Sequence, residues 1–370
     1  LFLSSGVLKN PSYTMERICE TLMLLRTKYR FNGYIHVKAI PGAPDELLSR
    51  AGYLADRVSI NLELPTAQSL SKLAPNKSFK TILEPMEKIT GTIAANRLAL
   101  GKEARMERSS INRYLTGSIF NQNGTDNGQA ALSGTQRTAL ESGDKLSLPA
   151  ASKDMCVKRP FAPAGQSTQM IIGATPETDL TLIRTTQHLY KNYDLKRVFY
   201  SAYIPLNEDS ALPQLDADVP LLREHRLYQA DWLLRFYGFQ ADELLSESRP
   251  NFNEQLDPKC DWAIRHLGQF PVEVQNASYD MLLRIPGIGP KSARRIVETR
   301  RYAKLDFDIL KKIGVVLKRA HYFITCNGRM MYRIPIEESY ITSCLTDDNH
   351  KENWEITHQN EKYHQLSLFE

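Results

Sequence analysis

The segment that most constrains this chain is residues 282–297, with the sequence LLRIPGIGPKSARRIV. Apolar residues lie on both sides of its Pro-Gly-Ile-Gly core, and this pattern predicts a helix, a tight turn and a second helix. We expect both Gly287 and Gly289 to adopt positive φ, which glycine does at little cost. Such a turn leaves the first amide N–H groups of the second helix pointing outward. Together with the helix dipole, these groups form a ready site for an anion.

Basic side chains surround the predicted turn. Lys291, Arg294 and Arg295 follow it directly, and residues 281–321 contain eleven Lys and Arg against three Asp and Glu. The net charge of the whole chain is only +5, so the positive charge is concentrated in this segment. A localised basic patch is typical of proteins that neutralise DNA phosphates. The alternative interpretation is that the segment has only a structural role, in which the glycines cap the end of the first of two core helices.

These residues resemble the helix-hairpin-helix family of sequence-independent DNA binders. The resemblance implies a motif over residues 279–320, including a degenerate second hairpin around Gly314, that contacts the DNA backbone rather than the bases. It implies six DNA-binding residues, namely Gly287, Ile288, Gly289, Lys291, Arg294 and Arg295.

The first part of the chain alternates short apolar segments with amphipathic ones. This alternation predicts an α/β fold with a parallel sheet, open or closed into a barrel. The predicted strands are residues 1–5, 34–38, 57–63, 170–173 and 197–204, and the predicted helices are residues 14–29, 45–51 and 179–190. From residue 221 to about residue 323 the pattern is helical.

Polar residues recur where four of the predicted strands end. In a parallel barrel the carboxyl ends of the strands line the mouth of the active site, so these residues are candidates for binding a ligand. The candidates are Ser4, Ser5, Gly6, Lys38, Asn61, Glu63, Gly173 and Glu177. The alternative is that the glycines form turns and the glutamates are merely solvated.

Several phrases of the first part resemble radical S-adenosylmethionine enzymes. They are IIGATPETDL at residues 171–180, LSSG at residues 3–6 and VSINLE at residues 58–63. Residues 161–169 and 220–232 resemble, more narrowly, the DNA modification or repair radical SAM proteins with a C-terminal helix-hairpin-helix. The resemblance implies a partial (β/α) TIM-like barrel whose first unit is missing, followed by an all-α helix-hairpin-helix domain. It also implies that the eight strand-end candidates bind S-adenosylmethionine.

The chain departs from that family in its cysteines. Such enzymes hold a [4Fe–4S] cluster through a Cys-x3-Cys-x2-Cys loop, and this spacing is absent from the sequence. We therefore expect the cluster only in a full-length protein that carries an upstream first strand and loop, and we predict that this chain is inactive and holds no metal. The other hypothesis is a non-catalytic DNA-binding adaptor with a degenerate barrel.

Composition divides the rest of the chain. We expect a barrel domain over residues 1–220 with a disordered insertion near residues 115–153, because that segment is too poor in apolar residues to form a core. A helical DNA-binding domain over residues 221–330 and a C-terminal extension over residues 331–370, with a flexible tail, complete the predicted organisation.

The last residues, QLSLFE, resemble the sliding-clamp-binding peptide of bacterial replication and repair proteins. The resemblance implies that Gln365, Leu366, Leu368 and Phe369 contact the bacterial sliding clamp; the alternative is a chance apolar end that folds back. The sequence has no apolar run long enough to span a membrane and no secretory signal. Its five cysteines show no framework spacing, which favours a cytoplasmic protein.

Overall fold

The computed structural model describes three stretches of the chain, residues 1–99, 159–206 and 210–346. The chain divides into two compact units, Leu1–Phe252 and Asn253–Glu370. The predicted insertion near residues 115–153 and the predicted clamp-binding peptide at residues 365–369 lie outside the described residues. The predicted first domain boundary at residue 220 stays a prediction, and residues 221–252 belong to the first compact unit.

The centre of the first unit is a parallel sheet in the strand order β1-β2-β3-β4-β5. The strands are β1 Phe2–Leu3, β2 His36–Lys38, β3 Arg57–Ser59, β4 Gln166–Ile172 and β5 Arg197–Ala202. The predicted α/β class with a parallel sheet is therefore confirmed. Among the described strands, β1 and β5 each pair with a single neighbour, so this sheet is open, and the partial barrel stays a prediction.

Helices connect the strands, and side chains cap the first amide groups of several of them. Asn10 accepts a hydrogen bond from Tyr13 N (2.8 Å) and Thr178 accepts one from Thr181 N (3.3 Å). The helices of this unit are α1 Pro11–Thr27, α2 Asp45–Leu54, α3 Ala67–Leu73, α4 Phe79–Ala99, α5 Asp179–Tyr193, α6 Leu221–Trp232 and α7 Ala241–Leu244. A π-helical turn over Leu233–Tyr237 continues α6.

The two faces of the sheet differ in polarity, because successive side chains of a strand point to opposite faces. Val58, Met170 and Ile172 are fully buried on one face. Gln166 lies on the same face of β4 and donates to Met86 O of α4 (2.8 Å), so helices cover this face. The opposite face carries polar side chains, including His36, Lys38, Ser59, Asn61, Ser167 and Gln169.

The second unit contains two successive helical hairpins. Its helices are α8 Pro258–Arg265, α9 Tyr279–Arg284, α10 Pro290–Thr299, α11 Phe307–Lys312, α12 Leu317–Ala320 and α13 Glu338–Thr346. Two short strands, β6 Val272–Glu273 and β7 Ile324–Thr325, pair in parallel and bracket both hairpins. The prediction of an all-α domain is wrong in this respect, because these two short strands are far apart in the chain and form only through their tertiary pairing.

Candidate nucleic-acid interface

The first hairpin joins α9 (Tyr279–Arg284) to α10 (Pro290–Thr299) through a tight turn. Ser278 begins α9 by accepting a hydrogen bond from Met281 N (3.1 Å). Pro290 occupies the first position of α10, where its missing N–H costs nothing and its fixed φ suits the helix. The predicted order of helix, glycine turn and helix is therefore confirmed.

Gly287 has the positive φ that the sequence predicts, at +81°. A Cβ at this position would lie 2.4 Å from Val316 O and 3.1 Å from Ala320 N, both backbone atoms of the second hairpin. Gly287 O also accepts a hydrogen bond from Val316 N (2.9 Å). Gly287 is thus required both by the turn and by the close packing of the two hairpins.

Gly289 differs from the prediction. Its φ is −99° and its ψ is 173°, an extended conformation that any residue adopts, so the prediction of positive φ here is wrong. The physical reason is its place as the N-cap of α10, where an extended backbone is normal. Within the described residues, the amide N–H groups of Gly289, Lys291 and Ser292 have no acceptor. They form the predicted donor set at the start of a helix.

Ile288 lies between these glycines with its side chain in the core, where it is 1% exposed. Its amide donates to Ile285 O (3.1 Å). The predicted contact between Ile288 and DNA therefore needs correction, because neither its side chain nor its N–H faces solvent as a free donor. Its apolar side chain anchors the turn instead.

The outer face of α10 is basic. Lys291, Arg294 and Arg295 are exposed, whereas the alternating Ala293 and Ile296 are buried, as expected for a helix with one face in the core. The structure therefore places the three predicted cations on one surface beside the free amides. Exposed cations at the positive end of a helix add to its attraction for an anion.

The second hairpin lies against the first. Its turn contains Gly314, whose φ is +93°. Ser292 Oγ donates to Gly314 O (2.8 Å) and Arg295 Nη1 donates to Ile313 O (3.1 Å), so α10 is bonded directly to the second turn. Lys311 and Lys312 are exposed and extend the basic surface. The degenerate hairpin predicted around Gly314 is present.

A buried lysine that the sequence did not predict supports the first turn. Lys259, on α8, is 8% exposed, and its Nζ donates to Ile288 O (2.6 Å). Burial lowers the pKa of the Lys259 ammonium to about 7. No periodic pattern could have marked this residue, because it meets the turn only through the tertiary fold.

The strand-end candidates of the first unit lie at the carboxyl edge of the parallel sheet. Glu63 Oε1 lies 3.5 Å from Lys38 Nζ and 3.2 Å from Lys77 Nζ, and Asn61 Nδ2 donates to Gln169 Oε1 (3.2 Å). Glu63 also has a φ of +66°, which is uncommon for a residue with a side chain and is concentrated at functional sites. Lys77 is a further member of this group, and it was not among the predicted candidates.

The remaining candidates are less closely connected. Thr66 Oγ1 donates to Glu177 Oε1 (2.8 Å). Burial acts to raise the pKa of the Glu177 carboxyl, but hydrogen bonds from Ser69, Thr175 and Thr66 outweigh it and hold the pKa below its ordinary value. Gly173 has a φ of +86° and lies in the bend that follows β4.

Ser4, Ser5 and Gly6 follow β1 at the same edge. Ser5 Oγ donates to Gly6 O (2.8 Å), which is a local contact. In the described part of the chain, no polar contact joins these three residues to Lys38 or Glu63. The structure therefore brings together Lys38, Asn61 and Glu63 more closely than the other candidates.

The described cysteines do not suit an iron–sulfur cluster. Cys19 is buried, its Sγ lies 3.4 Å from Leu47 O, and burial raises the pKa of its thiol to about 11. Cys260 and Cys326 are buried in the second unit. Across residues 1–99, 159–206 and 210–346, no group of three or more His, Cys, Asp or Glu could hold a metal ion.

Comparison with known families identifies the hairpin. Residues 272–299 match the family model described as the helix-hairpin-helix motif, which supports nucleic-acid binding by this chain. No curated protein and no solved structure matches the chain. Among the helices of the described residues, none is both long and apolar enough to cross a membrane.

Proposed function

We propose that this protein binds duplex DNA through its phosphate backbone, without contacting the bases. The observation that carries the proposal is the first turn, where the amides of Gly289, Lys291 and Ser292 have no acceptor within the described residues and lie beside the exposed side chains of Lys291, Arg294 and Arg295. Amide donors and cations recognise phosphate oxygens, which are the same in every sequence. The match of residues 272–299 to the helix-hairpin-helix motif supports the same function.

The test is a titration of the whole chain into fluorescent duplexes of unrelated sequence, followed by anisotropy at several salt concentrations. The expected affinities agree within about threefold across sequences and fall steeply with salt, because each neutralised phosphate releases condensed counterions. A strong preference for one sequence, or an affinity that does not depend on salt, would contradict the proposal.

We also propose a more specific function, which rests on the first unit. In this proposal the protein is a radical SAM-like protein that acts in DNA modification or repair, and it binds S-adenosylmethionine at the carboxyl edge of the sheet in the first unit. The side chains at this edge support the proposal. The carboxylates of Glu63 and Glu177 can accept hydrogen bonds from the ammonium and ribose hydroxyl groups of S-adenosylmethionine, and Lys38 can donate one to its carboxylate. The described cysteines do not fit a [4Fe–4S] cluster. The proposal for this chain therefore ends at the binding of S-adenosylmethionine.

Equilibrium dialysis with labelled S-adenosylmethionine tests this site. We expect Glu63→Gln and Lys38→Met each to weaken binding, whereas Lys72→Met, an exposed lysine on α3, leaves it unchanged. Absence of binding by the parent chain would favour the second candidate, a non-catalytic DNA-binding adaptor. The clamp-binding peptide at Gln365–Phe369 stays a separate proposal, tested by titrating a synthetic peptide of that sequence into a bacterial sliding clamp.

A further inference from the structure

The buried ammonium of Lys259 lies beneath the first hairpin turn. Its Nζ donates to Ile288 O at 2.6 Å, and Lys259 belongs to α8 (Pro258–Arg265) rather than to either hairpin. Asp257 holds the start of α8 in place, because its Oδ1 accepts from Lys259 N (3.1 Å) and Cys260 N (3.0 Å). The position of the Lys259 ammonium at the turn is therefore fixed by α8, whose first turn is capped by Asp257.

The contact acts on the peptide that joins Ile288 to Gly289. This peptide is trans, so its C=O and N–H groups point in opposite directions. Because Lys259 holds the Ile288 carbonyl inward, the Gly289 N–H is directed away from the core. A cation at the carbonyl oxygen also polarises the peptide, which strengthens the N–H as a donor.

We propose, resting on the DNA-binding function above, that Lys259 is a positioning residue for phosphate. Its buried ammonium fixes and polarises the Ile288–Gly289 peptide so that the Gly289 amide faces a DNA phosphate. Lys259 does not touch the DNA itself. It differs in this from Lys291, which is exposed on the surface of α10.

The groups around Lys259 make its charge sensitive to a bound anion. Burial is the main cause that lowers the pKa of its ammonium to about 7; the charges of Arg284 and Arg319 act in the same direction, while Asp257 and Cys260 oppose it. Asp257 is itself bonded to Arg319, whose Nη1 lies 2.8 Å from Asp257 Oδ2. A lysine in these surroundings is only partly protonated near neutral pH.

A phosphate at the Gly289 amide would raise the pKa of the Lys259 ammonium, because a nearby negative charge favours the protonated form. Binding would then take up protons at and above pH 7. Linkage gives the sign of the pH dependence. The affinity for DNA is greatest below the pKa that Lys259 has in the free protein, and it falls as the pH rises through that value. A rise of one pKa unit on binding makes the affinity fall about sixfold between pH 6.5 and pH 8.5 through this residue alone.

Calorimetry of the whole chain with a duplex of mixed sequence measures this proton uptake directly. Titrations at pH 7.5 in buffers of different ionisation enthalpy give the number of protons bound. We expect a fraction of a proton to be taken up by the parent protein and less by Lys259→Met, whose DNA affinity at pH 6.5 falls on the order of tenfold. Lys72→Met, in the first unit, should match the parent in both measurements.

Lys259→Arg provides a second test in case the Lys259→Met variant does not fold. Arginine stays charged throughout this pH range, so it should bind DNA with reduced proton uptake. Equal proton uptake by the parent and by whichever variant folds would overturn the assignment to Lys259, as would zero uptake by the parent. If Lys291→Ala weakens binding while proton uptake is zero, the positioning role fails and the proposed function stands. If the parent does not bind DNA, the proposed function fails first.

Discussion

Gly287 and Gly289 serve the first turn for different reasons. Gly287 has positive φ and packs against Val316 O, whereas Gly289 is extended and caps α10. For Gly289 the advantage of glycine is access, because the absence of a Cβ lets a ligand approach its amide closely. Residue type alone predicted the same conformation for both glycines; only the position in the helix start separates them.

This difference predicts opposite results for two matched substitutions. Gly287→Ser should destabilise the protein by about 2 kcal/mol or more, since positive φ is strained for serine and its Cβ would clash with backbone. Gly289→Ser should change the stability by less than about 0.5 kcal/mol, because serine is a good N-cap. The serine hydroxyl should compete for the free amides and weaken DNA binding roughly tenfold. Thermal melting and anisotropy measure the two effects, and equal destabilisation by both changes would refute the assignment.

Lys291 is the predicted phosphate contact on the surface of α10. Lys291→Ala should weaken binding about equally on all duplex sequences and flatten the slope of log K against log salt by roughly one. The melting temperature should stay within about 2 °C, since the side chain is exposed. Fluorescence anisotropy at several salt concentrations measures the affinity and its salt dependence. A loss of affinity confined to one duplex sequence would indicate base contacts instead.

At the scale of elements, the two hairpins depend on each other and on a short parallel strand pair. Glu273 of β6 joins this pair to the following loop, because its carboxylate accepts from Gly328 N (2.8 Å), Thr325 Oγ1 (3.1 Å) and Asn327 N (3.2 Å). Burial acts to raise the pKa of the Glu273 carboxyl, but these hydrogen bonds and one from Gln275 N outweigh it and lower the pKa.

This lowered pKa gives a prediction for stability against pH. A carboxyl whose pKa is lower in the folded protein stabilises it above the unfolded pKa, and this stabilisation is lost as pH falls through the folded pKa. Glu273→Gln should therefore lower the free energy of unfolding at pH 7, and the difference from the parent should shrink below about pH 4. Urea unfolding at both pH values measures it. A difference that stays constant with pH would mean that the carboxylate charge plays no part.

The sequence predicted elements well where the chain repeats a pattern. The strands at residues 34–38 and 197–204 and the helix at residues 45–51 correspond to β2, β5 and α2, with ends shifted by a few residues. Periodicity could not predict β6 and β7, which are two residues each, or the place of Lys259 under a turn 29 residues further along. Such features depend on tertiary contacts, which a local pattern does not contain.

At the scale of the molecule, the basic segment of residues 281–321 and the helix-hairpin-helix motif both belong to the second compact unit. We expect a fragment of residues 253–346 to bind duplex DNA with most of the affinity of the whole chain, because backbone contacts come from its hairpins. Circular dichroism first checks that the fragment is folded, and anisotropy then measures its affinity. A folded fragment that does not bind would place the main DNA contacts in the first unit.

The central claim is that the amides at the start of α10 hold a DNA phosphate. Nuclear magnetic resonance of the deuterated, ¹⁵N-labelled chain tests it most directly, by following each amide as a duplex of mixed sequence is added. We expect the amide resonances of Gly289, Lys291 and Ser292 to shift among the most, with the same pattern for a second duplex of unrelated sequence. Saturating DNA that leaves these three resonances in place while it shifts others would show that these amides do not hold a phosphate.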